Sequence, residues 1–314
     1  MATPILLDED SLNSALKYIW SQYRVWAKTS RTYKNEVTRW RDIVLVLSLG
    51  GALLGTLSQQ VEVWKVTGRA PWVGPVLGFL SGAALGLAAY FAKEVFSPDP
   101  EGRAVRARSA AEAFKSEAYL LATGAPPYDT ATTADDLFVR TEKVKRAIEN
   151  LAPVTITPEE KIKGLPSSPM SVEDYIKLRL DQQINEYYLP QANANAKKIA
   201  AGRKLSLIFG ALAVLLGLMS TRFASVAGWV AVIGTITAAI AAHQYAGRYQ
   251  FLIVAYQATA ERLDSLKTRW EIERKSQART DSQKRFILAC EEAISIENSA
   301  WMAEWSKKPD AEES

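Results

Sequence analysis

The chain is poor in the side chains that most enzymes use for group transfer and metal binding. It has one histidine, His243, and one cysteine, Cys290, in 314 residues. No intrachain disulfide can form, the usual His/Cys metal sites lack ligands, and no second histidine or cysteine is present to build a relay. There is no G-x-x-x-x-G-K-S/T loop and no G-x-G-x-x-G following a strand. The carboxylate pairs Glu159-Glu160 and Glu291-Glu292 read as solvated surface charge. The expectation is a protein that is not an enzyme, with no cofactor and no catalytic or metal-binding residue. Net charge is only +4. Basic residues alternate with acids along the predicted helices, so nucleic acid is not an expected partner. The N-terminal stretch MATPILLDEDSLNSALK lacks a basic segment followed by an apolar run, so a cleaved secretory signal is not expected.

Charge itself is missing from four stretches: 43–61, 72–92, 205–220 and 226–242. The longest, 21 residues, makes about 31 Å of helix, close to the hydrocarbon thickness of a bilayer. The shortest, at 16 residues, makes only about 24 Å, and Arg203 and Lys204 beside it are placed to snorkel. Gly74, Gly78, Gly82 and Gly86 fall at every fourth position of the second stretch. On a helix they form one groove without side chains, where another helix can approach closely. Gly234, Ala238 and Ala242 repeat the pattern more softly in the fourth stretch. Either set packs a helix against its own hairpin partner or against another subunit. Trp64 and Trp72 occupy positions expected of interfacial tryptophans.

Long polar helices flank these spans. Leu12, Leu16, Ile19, Tyr23, Trp26, Ser30, Tyr33, Val37 and Trp40 alternate at spacings of four and three, a heptad seam capped by Asp8 or Ser11. Tyr245, Tyr249, Leu252, Tyr256, Thr259, Leu263, Leu266 and Trp270 form a second, unbroken seam. Ala107, Ala111, Phe114, Ala118 and Leu121 mark a third helix. A capping box at Ser171–Asp174 starts another, which Pro190 is expected to kink or break. GALLGTLS (51–58) aligns with AVLLGLMS (213–220) at an offset of 162 residues, which implies an internal duplication. The expected division is a first two-span unit over 1–125, a Pro-rich linker with a short helix over 126–170, a second two-span unit over 171–308, and an acidic frayed tail over 309–314.

All but three of the 38 Lys and Arg residues lie on one side of the spans. The positive-inside rule makes that side cytoplasmic, with both termini on it. No span carries Asp, Glu, Lys or Arg, which argues against a pump but not against a channel. Ser48, Thr56, Ser81, Thr235 and Thr237 could line a pore or bond back to their own helices. Arg103, Arg106 and Arg108 could bind lipid headgroups or form a solvated face. His243, at the cytoplasmic end of the fourth span, is either an interfacial side chain or a pH sensor.

Two-span units flanked by long cytoplasmic helices resemble the SLATT family, the two-transmembrane effector domains associated with SMODS and SLOG proteins in bacteria. The closing stretch KRFILACEEAISIENSAWMAEW (284–305) is similar to the ending of such domains. The resemblance covers two fused units, 10–125 and 171–307. It implies a bacterial inner-membrane effector of conflict systems, forming pores in response to a nucleotide-dependent sensor. The expectation is therefore an all-α membrane protein with four transmembrane helices as two hairpins, extended by a cytoplasmic helical bundle with coiled-coil seams. It would be a homo-oligomeric channel or pore, in contact with membrane lipids and with a possible cytoplasmic sensor protein. The alternative is a non-conducting scaffold whose bundle recruits partners.

Overall fold

The computed structural model describes residues 8–63, 70–96, 100–129, 134–277 and 280–306, and all regular structure among them is helical. Trp64 and the tail 309–314 lie outside the described residues. Helix α1 spans Glu9–Val63, 55 residues without a proline. Asp8 caps it, its Oδ1 accepting from Ser11 N at 2.9 Å, which satisfies one of the free N–H groups of the first turn. There follow α2 (Val73–Phe96), α3 (Pro100–Thr123), α4 (Ala134–Arg146), α5 (Pro158–Ile162) and α6 (Val172–Tyr175). Then come α7 (Leu189–Ser220), α8 (Ala227–Ala246), α9 (Tyr249–Gln277) and α10 (Thr280–Ser306).

The chain forms two compact units that cut across its two halves. The first takes residues up to Asn35, Pro100–Ala192 and the chain from Val254. The second takes Glu36–Asp99 and Asn193–Ile253, and so holds all four uncharged stretches. Each half contributes to both units, so boundaries at 125 and 170 do not delimit compact bodies.

In the first unit Leu16, Ile19 and Trp26 of the α1 seam are buried, with Trp20 and Thr29 beside them, whereas Leu12, Tyr23, Ser30 and Tyr33 are half-buried. The α3 seam is also buried throughout, from Ala107 to Leu121. Residues 148–170 are held against α1 rather than left as a free linker. Trp20 donates from its indole nitrogen to Lys163 O at 3.1 Å, Arg24 to Glu160 O at 3.0 Å and Tyr33 to Ala152 O at 2.8 Å. Val154 N donates to Thr29 Oγ1 at 2.9 Å, and Ile148, Leu151, Ile156 and Met170 are buried. The segment is a strap tied to α1 by its own backbone carbonyls, which prolines leave free of helix or sheet bonding.

Pro190 does not break the chain. Two π-helical segments, Ile176–Asp181 and Gln183–Tyr188, lead directly into α7. Proline lacks an N–H and crowds the carbonyl four residues back; the wider turns upstream open the helix there, and it continues. The opposite correction holds at Tyr245. The seam from Tyr245 to Trp270 is interrupted, because α8 ends at Ala246 and Arg248 adopts φ +46°. A Cβ at Gly247 would overlap the Tyr249 ring. Tyr245 is 86% exposed, whereas Leu252, Tyr256, Thr259, Leu263 and Trp270 are buried.

Ser171 caps α6, its Oγ accepting from Asp174 N at 3.1 Å. Ser171→Ala is expected to lower stability by about 1 kcal/mol, read as a small drop in the unfolding midpoint.

Candidate functional site

Among the described residues, four helices are long and apolar enough to cross a membrane, and only 6% to 11% of each apolar window is buried. Phe79, Leu207, Val214 and Leu218 are more than half exposed. An apolar surface this large in water would be strongly unfavourable, so it marks helices that face lipid.

In the first hairpin the close approach is made by glycines of α1. A Cβ on Gly51 would stand 2.7 Å from Leu85 Cγ, and one on Gly55 would stand 2.9 Å from Ser81 Oγ. Ser81 Oγ donates to Gly51 O at 2.7 Å, and Ser58 Oγ donates to Gly74 O at 2.7 Å. A Cβ at Gly78 would meet Ser58 Oγ at 3.3 Å. The glycine ladder of α2 therefore divides. Gly74 and Gly78 face α1, whereas a Cβ at Gly82 or Gly86 would meet nothing within 4 Å. At Gly234 on α8 there is likewise open space, and Ala238 and Ala242 are exposed on the same face. Trp40 packs on Phe91 at 4.9 Å between centroids. The two hairpins meet where Gln60 Nε2 donates to Ser225 O at 2.6 Å.

The candidate hydroxyls have local partners. Thr56 donates to Ala52 O at 3.2 Å, Thr235 to Ala231 O at 3.0 Å and Thr237 to Ile233 O at 2.9 Å. Ser81 is sealed inside the first hairpin, and Ser48 is half-buried. His243 is half-buried, with Nε2 4.0 Å from Asp42 Oδ1 and Nδ1 lacking a partner.

The arginines assigned to lipid separate in the first unit. Arg106 is partly exposed and bonds Asn150 Oδ1 at 3.1 Å, while Arg103 lies over the Tyr33 ring at 5.4 Å. Arg108 cannot serve a headgroup. It donates to Tyr256 OH at 3.1 Å and to Glu297 at 3.2 Å, and stacks on Tyr187 at 5.2 Å. Tyr256 and Glu297 are buried, which draws this guanidinium inward.

Arg108 lies beside a buried polar network that sequence reasoning missed, its charge acting on Glu112 of that network. The network centres on Arg179, with no exposed surface, bidentate to Glu291 through Nε and Nη2 at 2.9 Å each. Tyr175 OH donates to Glu291 Oε1 at 2.9 Å. Nη1 of Arg179 reaches Glu112 Oε2 and Gln183 Oε1, both at 3.4 Å, and the guanidinium lies 5.3 Å from the Tyr119 ring centre. Glu291 is thus not a solvated charge; Glu159 and Glu160 are exposed or nearly so, with Glu160 bonding Lys28 at 3.0 Å. The signal was present in the spacing. Arg179 follows Val172 and Tyr175 on one helix face, and Glu291 lies among Ile287, Cys290 and Ile294.

Burial works against the charge on Glu291 and Glu112, but nearby cations outweigh it and hold both carboxyls below the usual range. Arg179 acts on both, with Lys115 the larger influence on Glu112. Burial drives the Cys290 thiol upward and raises Tyr119 to about 12. Because the folded carboxyl values are lowered, their stabilisation is complete above the ordinary value of 4.5 and is lost as pH falls through the folded values. Below pH 4.5, Glu291→Gln is therefore expected to show a flatter fall of unfolding midpoint with pH than the parent protein.

The fold and the two span pairs define a membrane protein built of two-helix hairpins. Residues 175–301 match the family described as SMODS and SLOG-associating 2TM effector domain 1, and residues 21–136 match a family described as protein of unknown function (DUF4231). The second half of the chain is thus similar to a two-transmembrane effector domain, and each match covers less than half of the chain. No curated protein and no solved structure matches it.

Proposed function

We propose that the protein is an oligomeric channel or pore of the bacterial inner membrane, acting as a conflict-system effector with both termini cytoplasmic. The observation that carries this reading is the small-residue face that a single chain leaves open. Gly82 and Gly86 on α2, and Gly234, Ala238 and Ala242 on α8, have no packing partner within 4 Å at the glycines. Four spans enclose little lumen, so a conducting path needs several copies, and open small-residue faces suit helix contacts between them. The sidedness follows from the concentration of Lys and Arg on one side of the spans. The buried network of the first unit would give each copy a fixed shape to assemble, and a cytoplasmic sensor protein is a fitting trigger.

The test is purified protein in liposomes. Dye or ion flux is expected, together with a ring-like oligomer in detergent. Gly82→Leu with Gly86→Leu is expected to abolish both while leaving the unfolding midpoint of the single chain unchanged. A monomer with no flux under any condition would remove the reading. A non-conducting scaffold is the second reading. It is favoured by the engagement of Thr56, Thr235 and Thr237 with their own helices, and an oligomer without a wettable path would support it.

A further inference from the structure

Arg103 and Arg106 stand three residues apart on α3, so they share a helix face. Carboxylates answer other arginines of the first unit: Glu297 bonds Arg108 at 3.2 Å, Glu291 bonds Arg179 at 2.9 Å and Glu117 lies 3.6 Å from Arg140. No carboxylate among the described residues answers Arg103 or Arg106. Arg103 is half-buried, and its Nε is shut away from water without a hydrogen-bond partner. Its guanidinium lies over the Tyr33 ring, 5.4 Å from Cζ to the ring centre. Arg106 donates from Nη1 to the neutral Asn150 Oδ1 at 3.1 Å. These contacts meet in one corner of α1, α3 and the strap. Tyr33 OH donates to Ala152 O at 2.8 Å, two residues from Asn150, and Ser30 Oγ of α1 donates to Ala104 O at 3.1 Å, beside Arg103.

A guanidinium with a desolvated N–H and no acid beside it is unfavourable until an anion meets it. Stacking on an aromatic ring occupies the flat face of Arg103 and leaves its in-plane fork of N–H groups, which matches phosphate oxygens. Because Asn150 Oδ1 accepts from Arg106, the Nδ2 group of that amide remains as a donor. The corner therefore presents two cations and a neutral donor. Glu101, two residues back on α3, lies on another helix face, and Glu149 is exposed. We propose that Arg103, Arg106 and Asn150 bind a phosphate group, with Tyr33 as the platform under Arg103. Inorganic phosphate and the phosphodiester of an anionic lipid headgroup offer the same oxygens, and α3 begins at Pro100, close in sequence to the end of α2 at Phe96. The site rests on the first unit alone and not on conduction.

The test uses the full chain in detergent, in two arms: calorimetric titration with inorganic phosphate, and retention of phosphatidylglycerol read by native mass spectrometry. Binding in at least one arm is expected, and the arm that shows it identifies the source. In that arm Arg103→Gln and Arg106→Gln are each expected to weaken binding about tenfold, the loss of a charge-assisted hydrogen bond. Arg103→Lys is expected to weaken it nearly as much, because an ammonium lacks the planar fork. Lys143→Gln with Lys177→Gln, two exposed cations of the same unit, is expected to change binding less than about twofold. Arg103→Gln is expected to keep the unfolding midpoint of the ligand-free protein, since it removes an unpaired charge. No binding in either arm, or full binding by Arg103→Gln, would overturn the site. Weakening by the Lys143/Lys177 pair equal to that of Arg103→Gln would overturn it in favour of diffuse attraction. A midpoint lowered by both Arg103→Gln and Arg103→Lys would overturn it in favour of a packing role for Arg103. Flux through liposomes by a protein that binds neither probe would overturn this site and leave the pore reading standing.

Discussion

Arg179→Met is expected to destabilise the first unit by about 3–5 kcal/mol, because it leaves Glu291 buried without its counter-ion. Glu291 is 3% exposed and takes two of its hydrogen bonds from that guanidinium. With a typical domain stability of about 5–15 kcal/mol, such a loss is a large part of the whole. The measurement is thermal unfolding of the full chain in detergent, followed by tryptophan fluorescence. Arg179→Met combined with Glu291→Leu is expected to recover most of the loss, since an apolar pair of similar volume removes both charges from the interior. A single variant as stable as the parent protein would mean that water reaches Glu291. A double variant no better than the single would mean that the network is needed as packing rather than as charge. Glu112 and Gln183 lose their contacts with Arg179 in both variants, so the difference between the single and the double variant reads the uncompensated Glu291 charge.

The second large effect is expected in the first hairpin. Gly51→Leu with Gly55→Leu should force α2 away from α1, because even a bare Cβ at these positions would crowd Leu85 and Ser81. Overpacking of this kind costs about 1–3 kcal/mol per site, and the pair removes the approach that lets Ser81 Oγ reach Gly51 O. The expected result is a hairpin that inserts but loses its thermal transition in detergent. Gly51→Ala alone is expected to show a smaller loss that Leu85→Ala partly restores, because truncating Leu85 frees the space that the new methyl needs. If Leu85→Ala only adds to the loss, the close approach at Gly51 is not the constraint on this hairpin. These substitutions act inside one chain, whereas those at Gly82 and Gly86 act on a surface that the chain leaves open.

Much of the architecture could be read directly from residue order. Four stretches without charge mark the spans, the 16-residue one with Arg203 and Lys204 beside it, because lipid strongly excludes charge. The α1 and α3 seams were equally legible, since apolar spacing at three and four residues has one outcome when a helix has a partner. The strap over 148–170 was not, because its order comes from carbonyls meeting Trp20, Arg24 and Tyr33, and backbone acceptors carry no residue signature. The π-helical turns before Pro190 and the turn at Arg248 were also hidden, as each depends on how the flanking helices pack.

The aligned serines of the duplicated stretch state the division plainly. Ser58 donates across to Gly74 O at 2.7 Å, whereas Ser220 bonds Gly217 O in its own helix at 2.7 Å. Sequence alone determined that both halves are hairpins of apolar helices, because hydrophobicity and length act residue by residue. Only the tertiary structure decided which glycines are filled by a neighbour and which acids are buried with an arginine. Those outcomes depend on distances between segments far apart in the chain, and a linear pattern places a side chain on a helix face without saying what that face meets.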